Sequence, residues 1–412
     1  MSVTVLEETA KAADLIALED RYGAHNYHPL DVVVARAAGV WVWDVEGRKY
    51  LDFLAAYSAV NQGHCHPEIL HAMVEQAHRV TLSSRAFRSD QLGPFFEQVC
   101  ELSGYDKFLP MNTGAEAVET AVKAARKWAY TVKGVPDGEA EILVFENNFH
   151  GRTTGLIGFS SELEYRQGFG PFSPGFRMLP YGDAAAVERA LEENGPRVAA
   201  VLVEPIQGEA GIIVPPAGYL AQLREMTRRH NVLLIADEIQ SGLGRTGKLF
   251  CYEHDGIRPD VVIIGKALSG GFYPISGILA GDEVMAVFRP GQHGSTYGGN
   301  PLAAAIGCAA LRVLVEEKMV ENSAVLGPYF MERLRRIDSK HIKEIRGKGL
   351  WIGIELHREA GGARRFCEAL QREGMLCKET HDHVIRLAPP LVIKREEIDW
   401  ALERLERVLT TL

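Results

Sequence analysis

The sequence predicts an α/β fold with a doubly wound, mainly parallel sheet and a smaller α+β domain. Apolar runs of strand length alternate with amphipathic segments of helix length between about residue 141 and residue 265. These runs are not interrupted by polar residues, which is typical of parallel strands covered on both faces. Beyond about residue 300, one long helical pattern and separated strands replace the alternation. A chain of 412 residues can form one large and one smaller domain.

We predict three regions along the chain. Residues 1–57 form an N-terminal segment that packs with the small domain. Residues 58–300 form the large domain, and residues 301–412 form the small domain. No internal repeat or low-complexity segment interrupts this division.

Composition narrows the possible partners. The net charge of −9 argues against a nucleic-acid or anionic-membrane partner, and no apolar run approaches the length of a membrane span. The acidic N-terminus lacks the features of a signal or transit peptide. The six cysteines are scattered singly, which predicts reduced, buried thiols in a cytoplasmic protein. A structural loop is favoured over a metal site for His64-Cys65-His66, and no metal is expected.

The N-terminal segment is expected to begin with a helix over residues 1 to about 20. Residues 39–44 and 49–53 read as the two strands of a β-hairpin. Tyr27 lies in a polar-aromatic loop between the helix and the hairpin, and Tyr57 lies where the chain enters the large domain. Aromatic residues in such loops usually pack on the body of the protein.

Two segments of the large domain carry candidate binding groups. Residues 111–128 are predicted to form a helix whose small, polar start lets free N–H groups approach an anion such as a phosphate. An ordinary capped helix is the alternative. The strand 141–145 is followed by Phe149, which could stack on a flat cofactor, and by Arg152, which could bind a carboxylate.

The remaining elements complete the predicted layers. A long helix is expected from about 300 to 336, with an interruption near Glu321–Asn322. A strand near 384–387 carries Arg386 toward the cleft. The other predicted helices and strands are 183–194, 198–203, 217–230, 349–355, 360–373 and 394–409.

Two apolar strands end abruptly in chemically active residues. Val232–Ala236 is followed by Asp237, and Val261–Gly265 is followed by Lys266. Open α/β sheets bind ligands beyond the carboxyl ends of their strands, so both side chains are expected at one site. A lysine there can form an imine with an aldehyde, and a carboxylate can keep a pyridinium nitrogen protonated. Pyridoxal phosphate is therefore the predicted cofactor, although a structural ion pair explains these two residues equally well.

A second motif in the same stretch points to a different cofactor. Residues 242–247 match the dinucleotide pattern G-x-G-x-x-G and follow a strand. However, polar or bulky residues separate the glycines from the strand, and no helical apolar period follows them. We interpret the segment as a flexible turn. A nicotinamide-dependent dehydrogenase stays as the alternative that this motif would support.

These features together resemble the class III aminotransferases, which have the pyridoxal-phosphate fold type I. The resemblance runs from Tyr22 to the last helix and includes Gly265-Lys-Ala-Leu-Ser-Gly-Gly271. Three other segments are similar to those of members that act on ornithine. They are Tyr22-Gly-Ala-His-Asn-Tyr-His-Pro-Leu30, Ser58-Ala-Val-Asn-Gln-Gly-His-Cys-His-Pro67 and His293-Gly-Ser-Thr-Tyr-Gly-Gly-Asn-Pro301.

The resemblance implies a set of cofactor-binding positions. Lys266 matches the imine-forming lysine that also carries a proton between the substrate carbon and the cofactor, and Asp237 matches the carboxylate on the pyridine nitrogen. The full set is Gly114, Ala115, Phe149, Glu204, Asp237, Ile239, Gln240, Lys266, Ser295 and Thr296.

The other members of this set have roles that follow from the same resemblance. Phe149 and Ile239 match the residues on the two faces of the ring, and Gln240 matches a donor to its phenolic oxygen. Gly114 and Ala115 match the phosphate site. Ser295 and Thr296 resemble phosphate contacts from a neighbouring subunit, which implies a homodimer or a higher oligomer.

The resemblance also implies substrate contacts. Arg386 matches the carboxylate-binding arginine and Glu209 the carboxylate that masks it, whereas Arg152 and Tyr27 would meet the carboxylate of ornithine. Tyr57 would meet its α-amino end. The implied reaction transfers the δ-amino group of L-ornithine to 2-oxoglutarate, giving glutamate-5-semialdehyde, which cyclises to pyrroline-5-carboxylate, and glutamate.

One position departs from the ornithine pattern. His150 stands where the animal ornithine enzymes have tryptophan, and histidine is common in the members that act on acetylornithine or γ-aminobutyrate. An acetylornithine or other ω-amino acid aminotransferase is therefore the main alternative. A catalytically silent cofactor-binding regulator is a more remote one. The sequence does not indicate whether the pathway leads to proline or to arginine breakdown.

Overall fold

The structure, a computed structural model, describes residues 11–412, which are organised by three sheets. The strands, numbered along the chain, are β1 (Val34–Ala38), β2 (Trp41–Asp44), β3 (Lys49–Asp52), β4 (Lys107–Met111), β5 (Glu141–Phe145), β6 (Phe176–Leu179), β7 (Val198–Val203), β8 (Leu233–Asp237), β9 (Val261–Ile264), β10 (Ser276–Ala280), β11 (Ile342–Lys348), β12 (Trp351–Leu356), β13 (Met375–Leu376), β14 (Lys378–Thr380) and β15 (Val384–Leu387). The α-helices longer than two turns are Ala12–Tyr22, Pro67–Arg79, Leu92–Ser103, Gly114–Trp128, Ala184–Asn194, Tyr219–Arg229, Pro301–Glu316, Met319–Leu334, Arg364–Arg372 and Arg395–Thr411.

The largest sheet has the strand order β4-β10-β9-β8-β7-β5-β6. The five strands from β9 to β6 are parallel to one another. Strand β10 runs antiparallel to both of its neighbours, β4 and β9. The prediction of a mainly parallel α/β sheet is confirmed. Sequence analysis misses β4, β6 and β10, which are short and include glycine, proline or charged residues within or beside their apolar positions.

Both faces of this sheet are buried. Successive strand residues point to opposite faces, so Leu234 of β8 packs into one apolar cluster and Ile235 into the other. The helix Gly114–Trp128 covers the second face, and Tyr219–Arg229 contributes to the first cluster. Helices on both faces explain why the strands are apolar throughout.

The second sheet joins distant parts of the chain in the order β1-β2-β3-β13. The predicted hairpin is confirmed as β2 and β3, with Trp41 opposite Leu51. Strand β3 also pairs in parallel with β13, which places Leu51 beside Met375. Residues near the two ends of the chain thus share a sheet, while the boundaries at residues 57 and 300 stay a prediction.

The third sheet is antiparallel, with the order β11-β12-β15-β14. Strand β15 carries Arg386, which lies opposite Gly353 of β12. Strands β12 and β15 agree with the predicted strands 349–355 and 384–387 to within two residues. The helix Arg395–Thr411 agrees equally well with the predicted 394–409, whereas the helix Arg364–Arg372 begins four residues later than the predicted 360–373.

Two helix predictions need correction. The long helix expected from about 300 to 336 is two helices, and the break lies at Lys318 and not near Glu321–Asn322. Lys318 has a left-handed backbone (φ 54°), which residue type alone does not indicate. The N-terminal helix spans Ala12–Tyr22, and the first ten residues of the predicted helix lie outside the described range.

The glycine-rich segment 239–250 consists of turns and bends, so its interpretation as a turn is confirmed. The expected flexibility of the turn stays a prediction, and Arg245 in this segment is fully buried. One of its amino groups donates to the carbonyls of Leu350 (2.9 Å) and Pro389 (2.6 Å), and the other donates to the side chain of Asn61. Burial lowers the pKa of Arg245 to about 9.

All six cysteines are free, and Cys65 is exposed, which contradicts the expectation that every thiol is buried. His64 lies 2.7 Å from a carboxylate oxygen of Asp52, whereas His66 contacts Glu317. These two histidines therefore have separate partners. Across residues 11–412, every helix is too short or too polar to span a bilayer.

Candidate active site

Three carboxyl ends of the parallel strands meet at one edge of the largest sheet. Glu204 follows β7, Asp237 is the last residue of β8, and Lys266 comes two residues after β9. These strands are direct neighbours, so the three side chains lie close enough to influence one another electrostatically. The structure thus brings together the strand-end residues that the sequence predicts at one site.

Both carboxylate oxygens of Asp237 have hydrogen-bond donors. His150 Nδ1 lies 2.7 Å from Oδ2, and the backbone N–H of Ile239 donates to Oδ1 at 3.1 Å. A carboxylate only accepts, so Nδ1 of His150 carries the proton. The sequence shows His150 only as a departure from a motif. It does not indicate this contact, because His150 follows β5, and β5 and β8 are separated in the sheet by β7.

Lys266 is the candidate nucleophile. Its backbone is left-handed (φ 45°), and its amine forms no ion pair within residues 11–412. Burial lowers the pKa of Lys266, and the charge of Arg386 adds to this effect, while nearby carboxylates oppose it. A desolvated amine with a lowered pKa is a better nucleophile toward an aldehyde. Lys266 borders a cavity of about 330 Å³ that also reaches Gly114.

The start of the helix Gly114–Trp128 faces the same cavity. Thr113 and Glu116 form a capping box that occupies the backbone N–H groups of residues 112, 113 and 116. The N–H groups of Gly114 and Ala115 have no acceptor within the described chain. A Cβ on Gly114 would lie 3.1 Å from Ile239 Cδ1, a tight contact that the Ile239 side chain would have to relieve by moving.

Serine and threonine of the 293–301 loop lie beside this helix start. Ser295 Oγ accepts a hydrogen bond from Asn112 Nδ2 at 2.8 Å within the same chain. Thr296 is exposed. The roles expected for both residues involve a second subunit and stay predictions.

Glu204 is a buried acid of the site, as is Asp237. Burial raises its pKa well above the ordinary value, and the neighbouring charge of Asp237 raises it further. The backbone N–H of Phe149 donates to Glu204 at 3.4 Å, a long contact. A carboxyl group in this environment favours its protonated form and can donate a hydrogen bond.

Arg386 reaches the site from the third sheet and is fully buried. Its two amino groups donate to Glu209 Oε1 (2.8 Å) and to Gln240 Oε1 (2.7 Å). Gln240 Nε2 in turn donates to Glu209 Oε1 at 3.2 Å, so these side chains form a closed network. The geometry makes Gln240 a partner of Arg386 and Glu209, which the sequence does not indicate.

Tyr57 lies against Arg386, with the guanidinium carbon 4.9 Å from its ring centre. Residues 55–58 all have positive φ angles, between 46° and 70°, so the chain forms a left-handed turn. Such a conformation costs an L-residue about 1–2 kcal/mol. Asp52 supports the turn by accepting the backbone N–H groups of Leu54 (2.8 Å) and Ala55 (3.0 Å).

The remaining predicted substrate residues are on exposed loops. The guanidinium of Arg152 stacks on Tyr165, 4.0 Å from its ring centre, and lies 5.6 Å from that of Phe149. Tyr165 is a further residue that sequence analysis misses. Tyr27 is 78% exposed. The residues brought together in the cleft are therefore Tyr57, Glu209, Gln240 and Arg386.

The side chains present fit a pyridoxal phosphate cofactor. An unpaired, desolvated lysine suits an aldehyde, and a carboxylate held by two donors suits a pyridinium nitrogen. Two unused N–H groups at a helix start suit a phosphate. A structural ion pair between Asp237 and Lys266 does not explain this arrangement, because Asp237 is paired with His150 instead.

The fold and these groups define a pyridoxal-phosphate-dependent aminotransferase of fold type I. The chain belongs to the class III aminotransferases, because the family Aminotransferase class-III matches residues 22–409. This assignment excludes the dehydrogenase that the glycine motif at 242–247 would support.

Individual members of the family are similar to this chain over nearly its whole length. The chain is 58% identical over 400 residues to an ornithine aminotransferase of an Exiguobacterium species, covering 97% of this chain and 98% of the relative. It superposes on the ornithine aminotransferase of Toxoplasma gondii with a TM-score of 0.95, at 45% identity, covering 97% of this chain and 94% of the other. An acetylornithine aminotransferase of Elizabethkingia anophelis gives a TM-score of 0.88 at 48% identity, with 97% and 99% covered.

Proposed function

We propose that this aminotransferase transfers the δ-amino group of L-ornithine to 2-oxoglutarate. The observation that carries this proposal is the ion pair between the buried Arg386 and the partly exposed Glu209, 2.8 Å apart. A free arginine at this position would bind the α-carboxylate of any amino acid and present its α-amine. Masking by Glu209 favours a substrate that presents a distal amine. The similarity to ornithine aminotransferases supports the same substrate.

The cofactor-facing residues divide the chemistry. When bound, pyridoxal phosphate supplies an aldehyde that accepts the amino group and a ring that takes up electron density from the carbon losing a proton. We assign that proton transfer to Lys266. Asp237 would keep the ring nitrogen of the bound cofactor protonated, and His150 holds the carboxylate of Asp237 in place.

The other cofactor residues bind and orient. Gly114 and Ala115 would hold the phosphate through their backbone N–H groups, while Phe149 and Ile239 would flank the ring. Glu204 would act as a buried hydrogen-bond donor near the ring. We assign Gln240 to the phenolic oxygen when Glu209 releases its amide.

The two half-reactions use the substrate residues differently. Ornithine would place its carboxylate on Arg152 and Tyr27 and its α-amino group near Tyr57, while Glu209 masks Arg386. For 2-oxoglutarate, Glu209 would swing away, so that Arg386 binds the α-carboxylate bidentately and Arg152 the distal one.

We further propose that the active form is at least a homodimer. Ser295 and Thr296 would contact the phosphate in the partner's site, which agrees with the exposure of Thr296. We also propose that the protein is cytoplasmic and that it acts in proline or arginine metabolism. Its partners are these small-molecule substrates.

The direct test is the first half-reaction of the purified enzyme without a keto acid. L-ornithine, N-acetylornithine and γ-aminobutyrate would be added separately while the visible absorbance of the bound cofactor is followed. Fast loss with ornithine alone supports the proposal. Faster loss with N-acetylornithine would contradict the proposal and identify N-acetylornithine as the substrate. This is the alternative that His150 favours.

Glu209→Ala tests the masking of Arg386. Removing the carboxylate leaves Arg386 free for α-carboxylates, so the ratio of glutamate to ornithine reactivity should rise about tenfold. Stopped-flow measurement of both half-reactions gives this ratio. An unchanged ratio would contradict the proposed switch.

A further inference from the structure

The loop that carries Tyr27 is held in place by side chains from the far end of the sequence. We propose that Arg364, together with Lys378 and Glu379, is a positioning residue that fixes this loop over the cleft and thereby sets the affinity for ornithine. This inference rests on the proposed function, in which Tyr27 binds the ornithine carboxylate.

Both amino groups of Arg364 form hydrogen bonds with the backbone of the loop. Nη1 donates to the carbonyl of His28 at 2.9 Å, and Nη2 donates to that of Pro29 at 2.6 Å. Lys378 adds a longer contact to the His28 carbonyl at 3.3 Å. Every acceptor is a main-chain carbonyl directly after Tyr27. The contact therefore fixes where the loop lies, whatever side chains the loop carries.

Glu379 joins the two cations that make this contact. Its carboxylate accepts from Arg364 Nη1 at 3.2 Å and also from Lys378. Burial alone would raise the pKa of Glu379, but these two cations lower it below its ordinary value. Arg364 Nε donates to Glu368 at 2.9 Å, which fixes the plane of its guanidinium. The side chains of Arg364 and Glu379 are only 25% and 19% exposed.

The same cluster borders the substrate cleft. Glu379 lines a cavity of about 400 Å³ together with Phe149, Tyr165 and Glu209. Its charge also reaches Tyr57, where it contributes to a raised pKa that is mainly due to burial. The cluster thus connects the loop of Tyr27 to the wall of the cleft.

The loop itself provides little to hold its position. Tyr27 is 78% exposed, and the backbone bonds inside the loop span only two residues, from Asn26 to Ala24 and from Val32 to Leu30. His25 contacts the carbonyl of Asp20 in the preceding helix. The other contacts from the far end of the chain are longer, from Lys378 to the carbonyl of His28 (3.3 Å) and from Gln371 to that of Asp31 (3.4 Å). Loss of Arg364 would therefore remove the two shortest contacts that hold the loop beside Tyr27.

The predicted consequence is confined to one substrate. Ornithine would contact Tyr27, whereas 2-oxoglutarate would be held by Arg386 and Arg152. Loss of the Arg364 contact should therefore weaken ornithine binding and leave the binding of 2-oxoglutarate unchanged. A general loss of stability would affect both substrates and the amount of active enzyme.

The experiment compares Arg364→Ala and Arg364→Lys with Arg365→Ala in the full-length holoenzyme. Arg365 is the adjacent exposed arginine, whose side chain donates to the carbonyl of Leu412 and not to the Tyr27 loop, so it is the matched control. Arg364→Ala should raise the KM for ornithine about tenfold, the size of one charge-assisted hydrogen bond, with an unchanged kcat. Arg364→Lys should give a smaller increase, because one ammonium cannot match the guanidinium fork.

Two further measurements separate positioning from structural damage. Hydrogen exchange of the peptide covering residues 23–33 should become faster in Arg364→Ala and stay unchanged in Arg365→Ala. Adding Arg364→Ala to Tyr27→Phe should raise the KM for ornithine by less than it does alone, because both changes remove the same contact.

Several results would overturn the inference. They are a KM for ornithine that stays at the wild-type value, equal increases for both substrates, additive effects with Tyr27→Phe, or unchanged exchange of the loop. A wild-type enzyme that does not react with ornithine would instead refute the proposed function. In that case the exchange measurement still decides whether Arg364 holds the loop.

Discussion

The two halves of the candidate site are built from different parts of the fold. The cofactor-facing residues Glu204, Asp237 and Lys266 come from the ends of neighbouring strands in one sheet, and they are largely buried. The substrate-facing residues come from separate places, since Arg386 lies in another sheet and Arg152 on an exposed loop. The comparison teaches that the chemistry and the choice of substrate are fixed by elements that can change independently.

This difference can be tested, because substitutions on the cofactor side and on the substrate side should have different kinetic effects. Changes on the cofactor side should reduce both half-reactions by the same factor, because both need the same ring and the same proton transfer. Changes on the substrate side should instead alter substrate binding. A residue that meets one substrate should affect that half-reaction more, and a residue that supports the shared Arg152 should raise both KM values with an unchanged kcat.

Lys266→Ala should have the largest effect, a loss of about 10⁴-fold in both half-reactions, because the proton transfer of both is assigned to this amine. Rapid-kinetic measurement with ornithine and with 2-oxoglutarate tests this expectation. The amine is desolvated and outside any ion pair of the described chain, so its removal should not lower the thermal stability of the apoenzyme. A Lys266→Ala variant that retains one half-reaction would contradict the claim that the cofactor side serves both half-reactions equally.

Arg386→Lys should reduce the reaction with 2-oxoglutarate about 10²-fold, since one ammonium cannot replace two guanidinium contacts in a buried site. The reaction with ornithine should fall less, because Arg386 is masked by Glu209 in that step. The measurement is kcat/KM for each half-reaction. Equal losses would place Arg386 on the cofactor side.

His150→Leu should lower kcat about tenfold for both half-reactions, because Asp237 loses one charge-assisted hydrogen bond. His150→Asn keeps a donor near the position of Nδ1 and should recover part of the activity. The pH dependence of cofactor absorbance provides a second readout. A selective loss of one substrate would contradict the role assigned to His150.

Tyr165→Leu should have the smallest effect, an increase of about threefold in KM for both substrates, from the loss of the cation–π contact with Arg152. Steady-state kinetics with each substrate varied separately measure it. Tyr165→Phe retains the ring and should behave like the wild type. If Phe and Leu give the same increase, the hydroxyl and not the ring supports Arg152.

The sequence predicts the cofactor side better than the substrate side for a physical reason. Asp237 and Lys266 follow apolar strands directly, so their location depends only on local pattern and on the parallel arrangement of the sheet. The contact of His150 with Asp237 depends on the order and register of strands, which no local pattern reveals. The hydrogen bond from Arg364 to the carbonyl of His28 joins opposite ends of the chain, so no local pattern reveals it either.

Backbone conformation limits prediction in the same way. Residues 55–58 contain no glycine or asparagine, yet all of them are left-handed, and this turn directs Tyr57 toward Arg386. Their composition suits a right-handed helix. The turn is therefore imposed by its surroundings, including the hydrogen bonds from the turn to Asp52, and not by the residues themselves.

The buried guanidinium of Arg245 has a consequence for the order in which the chain can fold. Two of its acceptors, the carbonyls of Leu350 and Pro389, are synthesised long after Arg245 itself. Until they arrive, a cation in the centre of the protein lacks most of its hydrogen bonds, which is unfavourable away from water. A chain released near residue 300 should therefore remain incompletely folded around this turn. The native interior closes only when the C-terminal part has been made.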